Sequence, residues 1–317
     1  VVTLFVAATI TFFLVQVMPG DPIYTIALEL AAERGIPIEE AYTVAAAMFG
    51  GVDPDLPMYR RYAQYIISLL QGDLGWSYLY RISVNKVILE ALPWTLLVVS
   101  ISTVISFSLG SIIGLTTAWK RKSLLNPLAL SYASLADALP PYIAAIVILT
   151  IFAVRLRWFP LGGAFNTRLD VGWNLPFILS CLYHAALPVI AFSVSAVGAW
   201  ILIVRGSATN VLGEDYIYAA TARGLKGRRI FLSYVGRNAI LPPITLLAIT
   251  FAVMLGGAVF IENIFRYPGI GFFFAEAVMR RDHGMMQGLF LLTTFGIIVA
   301  NLIVDLIYPI LDPRVRE

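Results

Sequence analysis

Long runs of apolar residues are the feature that most restricts the fold of this 317-residue chain. A helix that crosses a bilayer needs about 20 mostly apolar residues, because backbone polar groups in lipid must bond to one another. Six segments reach or approach that length, and none alternates with the period of a barrel strand. They are 1–18, 94–118, 127–154, 182–204, 240–261 and 285–309. We therefore expect an all-α polytopic membrane protein with six transmembrane helices.

Composition supports a membrane location and argues against a catalytic centre. Hydrophobic residues make up 59% of the chain and charged residues 13%, whereas a soluble domain carries about 25% charged residues. The net charge of +3 is too small to indicate nucleic-acid binding. One cysteine and two histidines argue against a metal site, and the sequence contains no phosphate-binding loop, nucleophile elbow or zinc-protease motif. We expect no enzymatic activity and no cofactor or metal in this chain.

Basic residues predict the orientation. With six spans, the segments 119–126, 205–239 and 310–317 lie on the same side as the amino terminus, and they hold 11 of the 22 Lys and Arg residues against four acids. The positive-inside rule places that side, with both termini, in the cytoplasm. Val1 already lies in an apolar run that has no cleavage signature, so we expect the native chain to begin upstream with an anchored helix.

The segment 19–93 is the largest external piece, and its sequence predicts a small helical cap. A helix is expected to begin after Pro37 and to stop at Gly50-Gly51. Pro57 opens a second helix with an apolar stripe, and the sequence 72–75, Gly-Asp-Leu-Gly, ends it.

The stretch between the fourth and fifth spans contains a short helix, a glycine and a basic second element. Glu214 and Asp215 occupy the amino end of the short helix, where the helix dipole favours negative charge. The alanines 219 and 220 favour helix and keep it thin, and Gly224 is placed as a left-handed stop. Such a segment docks into a groove of a partner or lies on the anionic leaflet through its basic residues; composition leaves both open.

The spacing within this stretch resembles the inner-membrane permease subunits of ATP-binding-cassette importers. Their cytoplasmic signature is Glu-Ala-Ala, three residues, Gly, and a spacer that ends near Ile-x-Leu-Pro. Ala219-Ala220, Gly224 and the sequence 240–242, Ile-Leu-Pro, match it. Tyr218 stands where other permeases have the signature Glu, so no charge contact is carried over to that position.

The dipeptide/oligopeptide/nickel branch of this family is the more similar one, and the resemblance extends from about Pro19 to Arg316. It includes Asp215-Tyr216, 222–225 and 237–239 in the cytoplasmic stretch. Further matching motifs are Pro19-Gly20-Asp21-Pro22, Gly72-Asp73-Leu74-Gly75-x-Ser77, Trp158-Phe159-Pro160, Glu262-x-x-Phe265-x-x-Pro268-Gly269-x-Gly271, Arg281-Asp282 and Leu311-Asp312-Pro313-Arg314. The opening motif and the long first external loop are similar to the first of the two permeases in such systems, the B type.

The resemblance implies one ABC transporter type-1 transmembrane domain over 1–317, with an external cap at 19–93 and a cytoplasmic coupling segment at 205–239. It implies a homologous second permease, two ATPase subunits that bind ATP and Mg, and an extracytoplasmic substrate-binding protein. The coupling helix would transmit movement from the ATPases to the fourth and fifth spans. The residues expected to face an ATPase are Glu214, Asp215, Tyr216, Ala219, Ala220, Arg223, Gly224, Leu225 and Lys226. Arg228 and Arg229 fit an ATPase or lipid phosphate equally well.

A translocation path is expected near Asp137, Pro140, Pro141 and Tyr142 in the third span. Ionisable groups inside a membrane usually face protein or water. Asp137 therefore contacts a substrate amine, takes part in a proton relay with His184 and Asp305, or caps a helix beside the proline break. A single proline is more simply a packing kink than a gate. For His184 and Asp305, interfacial positions are the simpler interpretation.

The substrate is expected to be a di- or oligopeptide, with oligosaccharides and nickel as alternatives within the family. An ion-coupled secondary transporter is the alternative from another class, but it predicts inverted repeats and interrupted midplane helices, and no convincing repeat is present. An intramembrane hydrolase would need a nucleophile and base or metal ligands, and the sequence offers no such set.

Overall fold

The protein is almost entirely helical across the residues that its computed structural model describes, which are 2–17, 22–48 and 56–311. The all-α fold class is therefore confirmed. The helices are α1 (Val2–Val17), α2 (Pro22–Arg34), α3 (Ile38–Met48), α4 (Met58–Leu70), α5 (Val84–Trp119), α6 (Leu125–Ala138), α7 (Pro141–Ile148), α8 (Leu175–Leu212), α9 (Asp215–Ala222), α10 (Gly227–Arg229), α11 (Arg237–Ala239), α12 (Leu241–Ile264), α13 (Ile270–Arg280) and α14 (His283–Leu311). The strands β1 (Trp76–Ser77) and β2 (Ile82–Ser83) form an antiparallel pair.

Several sequence-based expectations lie outside the described residues. They are the Pro19-Gly20-Asp21 part of the opening motif, the Gly50-Gly51 stop and the closing motif from Asp312 onward. The starts of α3 after Pro37 and of α4 after Pro57 are confirmed.

Two of the described helices, α5 and α8, are long and apolar enough on their own to cross a membrane. Helix α1 and the portion His283–Val299 of α14 are shorter apolar helices. A polytopic helical membrane protein is consistent with these lengths, and the count of six spans stays a prediction.

The segment expected to be the third span differs from a single helix. Helices α6 and α7 are joined at Leu139-Pro140 with a bend of 102°, and α7 continues as a π-helix over Leu149–Arg155. Because Pro140 and Pro141 have no backbone N–H and fix their φ angles, they cannot extend the hydrogen-bond ladder of α6. The bend is much larger than the packing kink that one proline produces.

The described chain divides into two compact units. The first comprises Val1–Pro93 with Phe273–Phe295. In it α4 lies beside α1, since Tyr62 is hydrogen-bonded to Thr9 at 2.8 Å and its ring meets Phe12. Helices α2 and α3 pack through alanines, of which Ala27 and Ala41 are fully buried.

The β1–β2 hairpin is fixed to the start of α14 by the buried carboxylate of Asp282. Ser77 Oγ donates to Asp282 Oδ2 at 2.6 Å, and the backbone N–H groups of Leu79 and Met285 donate to the same side chain at 3.1 Å. Burial, and secondarily the Asp282 charge, raises the pKa of Tyr78 in this hairpin to about 12. Two short motifs about 200 residues apart therefore meet at one hydrogen-bonded cluster.

The second unit comprises Trp94–Phe272 with Gly296–Glu317, and α8 is its central helix. Helices α6, α7, α11 and α12 all contact α8. The close approaches occur at glycines: a Cβ on Gly110 would collide with Trp200, and one on Gly198 would collide with Ala136. Small residues allow membrane helices to pack at short distance, where dispersion and interhelical contacts stabilise them. This packing positions the segment that follows α8.

Candidate functional site

The coupling segment begins where α8 ends at Leu212, and its first helix is α9. Glu214 precedes α9 in an extended conformation, and Asp215 lies in the first turn. At the other end Gly224 has φ +70°, as its position in the sequence predicted. The N–H of Gly224 donates to the Thr221 carbonyl at 2.9 Å, and that of Leu225 to the Ala220 carbonyl at 3.3 Å. This pair of bonds around a left-handed glycine is a Schellman motif, which ends a helix and satisfies its last carbonyls.

One face of α9 is buried against the rest of its own unit. Ile217 and Ala220 are 6% and 3% exposed. They belong to an apolar cluster, the α9 core cluster, whose buried members are Ala118, Ala208, Ile217, Ala220, Ile230, Val235 and Ala239. The segment Ile230–Gly236 next to α9 is a π-helix, and Ser207 Oγ donates to the Ala239 carbonyl at 2.7 Å. Helix α9 is therefore held by α5, α8 and α11 and is not a free loop.

The opposite face of α9 is exposed and carries charge in a fixed order. Glu214 and Asp215 lie at its amino end, and Arg223 and Lys226 follow its carboxyl end. This order complements the helix dipole. Tyr218, between them, is 64% exposed. Among the residues that the structure describes, no salt bridge involves these charges. From its amino end to its carboxyl end, this face thus presents acidic, aromatic and basic side chains that a partner could contact.

Seven of the nine residues expected to face an ATPase are exposed together on this surface. They are Glu214, Asp215, Tyr216, Ala219, Arg223, Gly224 and Lys226. Ala220 differs because its side chain lies in the α9 core cluster, and Leu225 is half-buried against the same cluster. These two residues therefore anchor α9 to the α9 core cluster, because residues three apart, such as Ile217 and Ala220, lie on the same face of a helix. The three-residue spacing of Ile217 and Ala220 was the sequence signal that could have assigned Ala220 to the buried face.

The residues of the expected translocation path are also brought together, but at another place. Asp137, Pro140, Pro141 and Tyr142 are all exposed at the bend between α6 and α7. The Tyr142 ring lies 6.1 Å from that of Phe260 on α12. Ala136, next to Asp137, contacts Gly198, which lies 14 residues or about 21 Å along α8 from Leu212, where the coupling segment begins. The bend and the coupling segment are therefore separate features of the second unit.

A third feature surrounds Glu262, to which the sequence analysis assigned no function. Glu262 is fully buried near the end of α12, and its Oε2 accepts the N–H groups of Gly271 at 2.7 Å and Phe272 at 3.3 Å. Thr95 Oγ1 accepts the N–H of Ile270 at 2.8 Å. The carboxylate thus caps the start of α13. A Cβ on Gly269 would collide with this carboxylate, and one on Gly271 with the backbone at Val259.

A comparison with protein families decides the class of this chain. Residues 110–317 match the family described as "Binding-protein-dependent transport system inner membrane component". The matched region covers the bend, the coupling segment and the Glu262 cap.

The chain belongs to this family. As a binding-protein-dependent inner-membrane component, it is a permease component of an ABC importer and not a catalytic subunit.

Relatives of known name match this permease component over nearly its whole length. The oligopeptide transport system permease protein OppB of Haemophilus influenzae is 32% identical, over 99% of this chain and 95% of that protein. The dipeptide transport system permease protein DppB of Escherichia coli K12 is 29% identical, over 100% and 96% respectively. The di/tripeptide permease DppB of Pseudomonas aeruginosa is 28% identical, over 99% and 95%. The predicted resemblance to the peptide-permease branch is thereby confirmed.

Among solved structures, the crystal structure of an amino acid ABC transporter with histidines aligns with this permease component. The TM-score is 0.47 and the sequence identity 15%, over 73% of this chain and 95% of that chain.

Proposed function

We propose that this chain is the B-type permease subunit of a di- or oligopeptide importer and forms half of its translocation path. The full-length relatives named for peptide transport support the substrate class. In this proposal the chain crosses the plasma membrane six times with both termini in the cytoplasm. It pairs with a homologous second permease, receives substrate from an extracytoplasmic binding protein, and rests on two ATPase subunits that bind ATP and Mg.

The exposed surface of α9 is the observation that supports ATPase docking. The α9 core cluster packs α9 directly against α8, so a movement of α9 is transmitted to α8 through buried contacts. Its charges have no salt-bridge partner in the described part of the chain and are available to a second protein. A rigid two-state element that a partner biases is the physical requirement for coupling between sites.

The length of α8 supports a protein partner over a lipid surface. Between His184 and Arg205 the helix has 20 uncharged residues, about 30 Å, which equals the hydrocarbon thickness of a bilayer. Eight further residues, about 12 Å, separate Val204 from the end of α8. The headgroup layer on each side is about 5–7 Å thick. A helix along the membrane normal therefore carries α9 past the headgroups, where a soluble ATPase subunit can reach it.

The proposal is tested by purifying the tagged chain with the proteins encoded beside it and by measuring uptake in a host that lacks peptide importers. We expect a second permease and two ATPase subunits to copurify, and labelled peptides of two to five residues to accumulate only when ATP is available. Uptake driven by an ion gradient without ATPases would contradict the importer assignment. ATP-driven uptake of an oligosaccharide or Ni²⁺, with no peptide uptake, would contradict only the substrate class.

A further inference from the structure

The bend between α6 and α7 exposes backbone that is not helical. Leu139 is extended, with φ −95° and ψ 119°, and Pro140 follows with φ −56° and ψ 136°. Leu139 is 47% exposed. At membrane depth, non-helical backbone occurs where it is buried in protein or lines a water-filled cavity, and not against lipid.

The same bend gathers oxygen acceptors. Pro140 and Pro141 have no N–H, so the carbonyls of Ala136 and Asp137 lose the donors that the next helical turn would supply. The carboxylate of Asp137 stands beside them and is exposed. The carboxyl end of α6 adds the negative end of its dipole. In the described part of the chain no salt bridge or hydrogen bond reaches this carboxylate.

The position of the bend along α8 places it near the middle of the membrane. Ala136 contacts α8 at Gly198. Gly198 is about 5 Å from the centre of the uncharged stretch of α8 between His184 and Arg205. An ionised side chain at that depth pairs with another group or faces water, since lipid cannot solvate it.

We infer that Asp137, with the backbone carbonyls of Ala136 and Asp137, binds the amino-terminal ammonium group of a peptide during translocation. This inference rests on the proposed function. An α-ammonium group has three N–H donors and one positive charge, and the bend offers as acceptors a carboxylate and two carbonyls that lack their i+4 helical N–H donors. Every peptide with a free amino terminus presents this ammonium group, whatever its side chains.

The experiment compares Asp137→Asn and Asp137→Glu with the unaltered transporter in proteoliposomes that contain the complete complex and saturating binding protein. Asp170→Asn is the matched control, because Asp170 is an exposed aspartate in the loop before α8. Hydrogen bonds to charged groups are strong enough that their loss lowers the maximal rate of peptide uptake by about tenfold or more. We expect that loss for Asp137→Asn, partial recovery for Asp137→Glu and no change for Asp170→Asn. The amount of copurifying ATPase should stay constant.

A second measurement repeats the assay with the amino-terminally acetylated peptide, which carries no ammonium group. The ratio between Asp137→Asn and the unaltered transporter should then approach one. Equal uptake of the free peptide by both proteins overturns the inference and leaves the peptide-importer proposal intact. Loss of the second permease from purified Asp137→Asn also overturns it, because Asp137 would then pair with a cation of that subunit. Failure of the unaltered transporter to take up any peptide is the separate result that removes the proposed function.

Discussion

The same substitution should lower stability at one of two adjacent alanines of α9 and weaken ATPase binding at the other. Ala220 is 3% exposed and lies in the α9 core cluster beside Ala118 and Ala208, which are 2% and 0% exposed. Ala219 is exposed on the other face of α9. Both belong to the set that the sequence predicted to contact an ATPase, so Ala219→Leu and Ala220→Leu form a matched pair.

The structure sets the size of each effect. Leucine at 220 adds three carbon atoms to a cluster of small side chains, and such overpacking costs typically about 1–3 kcal/mol. Leucine at 219 projects outward, where substitutions change the free energy of unfolding by roughly 0.5 kcal/mol or less. At about 2–4 °C per kcal/mol for a chain of this order of size, Ala220→Leu should lower the unfolding midpoint of the subunit by about 2–12 °C. Ala219→Leu should leave it nearly unchanged.

The assay measures thermal unfolding of the purified subunit in detergent, and in parallel the binding of the purified ATPase subunits. Ala219→Leu is expected to weaken ATPase binding by about tenfold, equivalent to about 1.4 kcal/mol, because a bulky side chain separates two closely packed surfaces. A stable subunit with normal ATPase binding in Ala219→Leu would refute docking on this face. An unchanged unfolding midpoint in Ala220→Leu would refute the buried position of Ala220.

Three further substitutions test other parts of the structure. Ser77→Ala removes a donor to the buried Asp282 carboxylate, and it should lower the free energy of unfolding by about 1.5–3 kcal/mol and speed hydrogen exchange in the hairpin. Gly198→Leu should abolish folded subunit in fluorescence size-exclusion profiles because its side chain collides with α6, whereas Gly206→Leu, with nothing within 4 Å of its Cβ, should be tolerated. Gly224→Val should reduce ATP-driven uptake at unchanged membrane insertion, because a left-handed conformation costs a non-glycine residue about 1–2 kcal/mol; normal uptake would exclude a role for this turn.

Features that depend on local chemistry could be predicted from the sequence. Prolines 37 and 57 identified the starts of α3 and α4, and Gly224 was identified as a left-handed stop. Each of these depends on one residue's φ angle or missing N–H, which neighbouring residues do not override. The helical membrane fold followed in the same way from the length of the apolar runs.

Features that depend on contacts between distant residues were not predicted. The bond from Ser77 to Asp282 joins positions 205 residues apart, and no local pattern pairs them. The burial of Ala220 depends on α5 and α8 lying beneath α9, and the 102° bend at Leu139 depends on α8 as the surface against which both halves pack. In each case the sequence placed the residue in or beside a recognisable motif but did not show which distant residues it contacts.

The close contact between α6 and α8 divides α8 into two unequal arms. From Gly198, 14 residues or about 21 Å lead to the end at Leu212, and 23 residues or about 35 Å lead to the end at Leu175. If α8 turns as a stiff rod about that contact, the far end travels about 1.6 times as far as the end that carries α9. A displacement of 3 Å at α9 would then become about 5 Å on the opposite side, roughly the rise of one helical turn. In the proposed function, the contact at Gly198 would thus set how far the Leu175 end of α8 moves for a given displacement of α9.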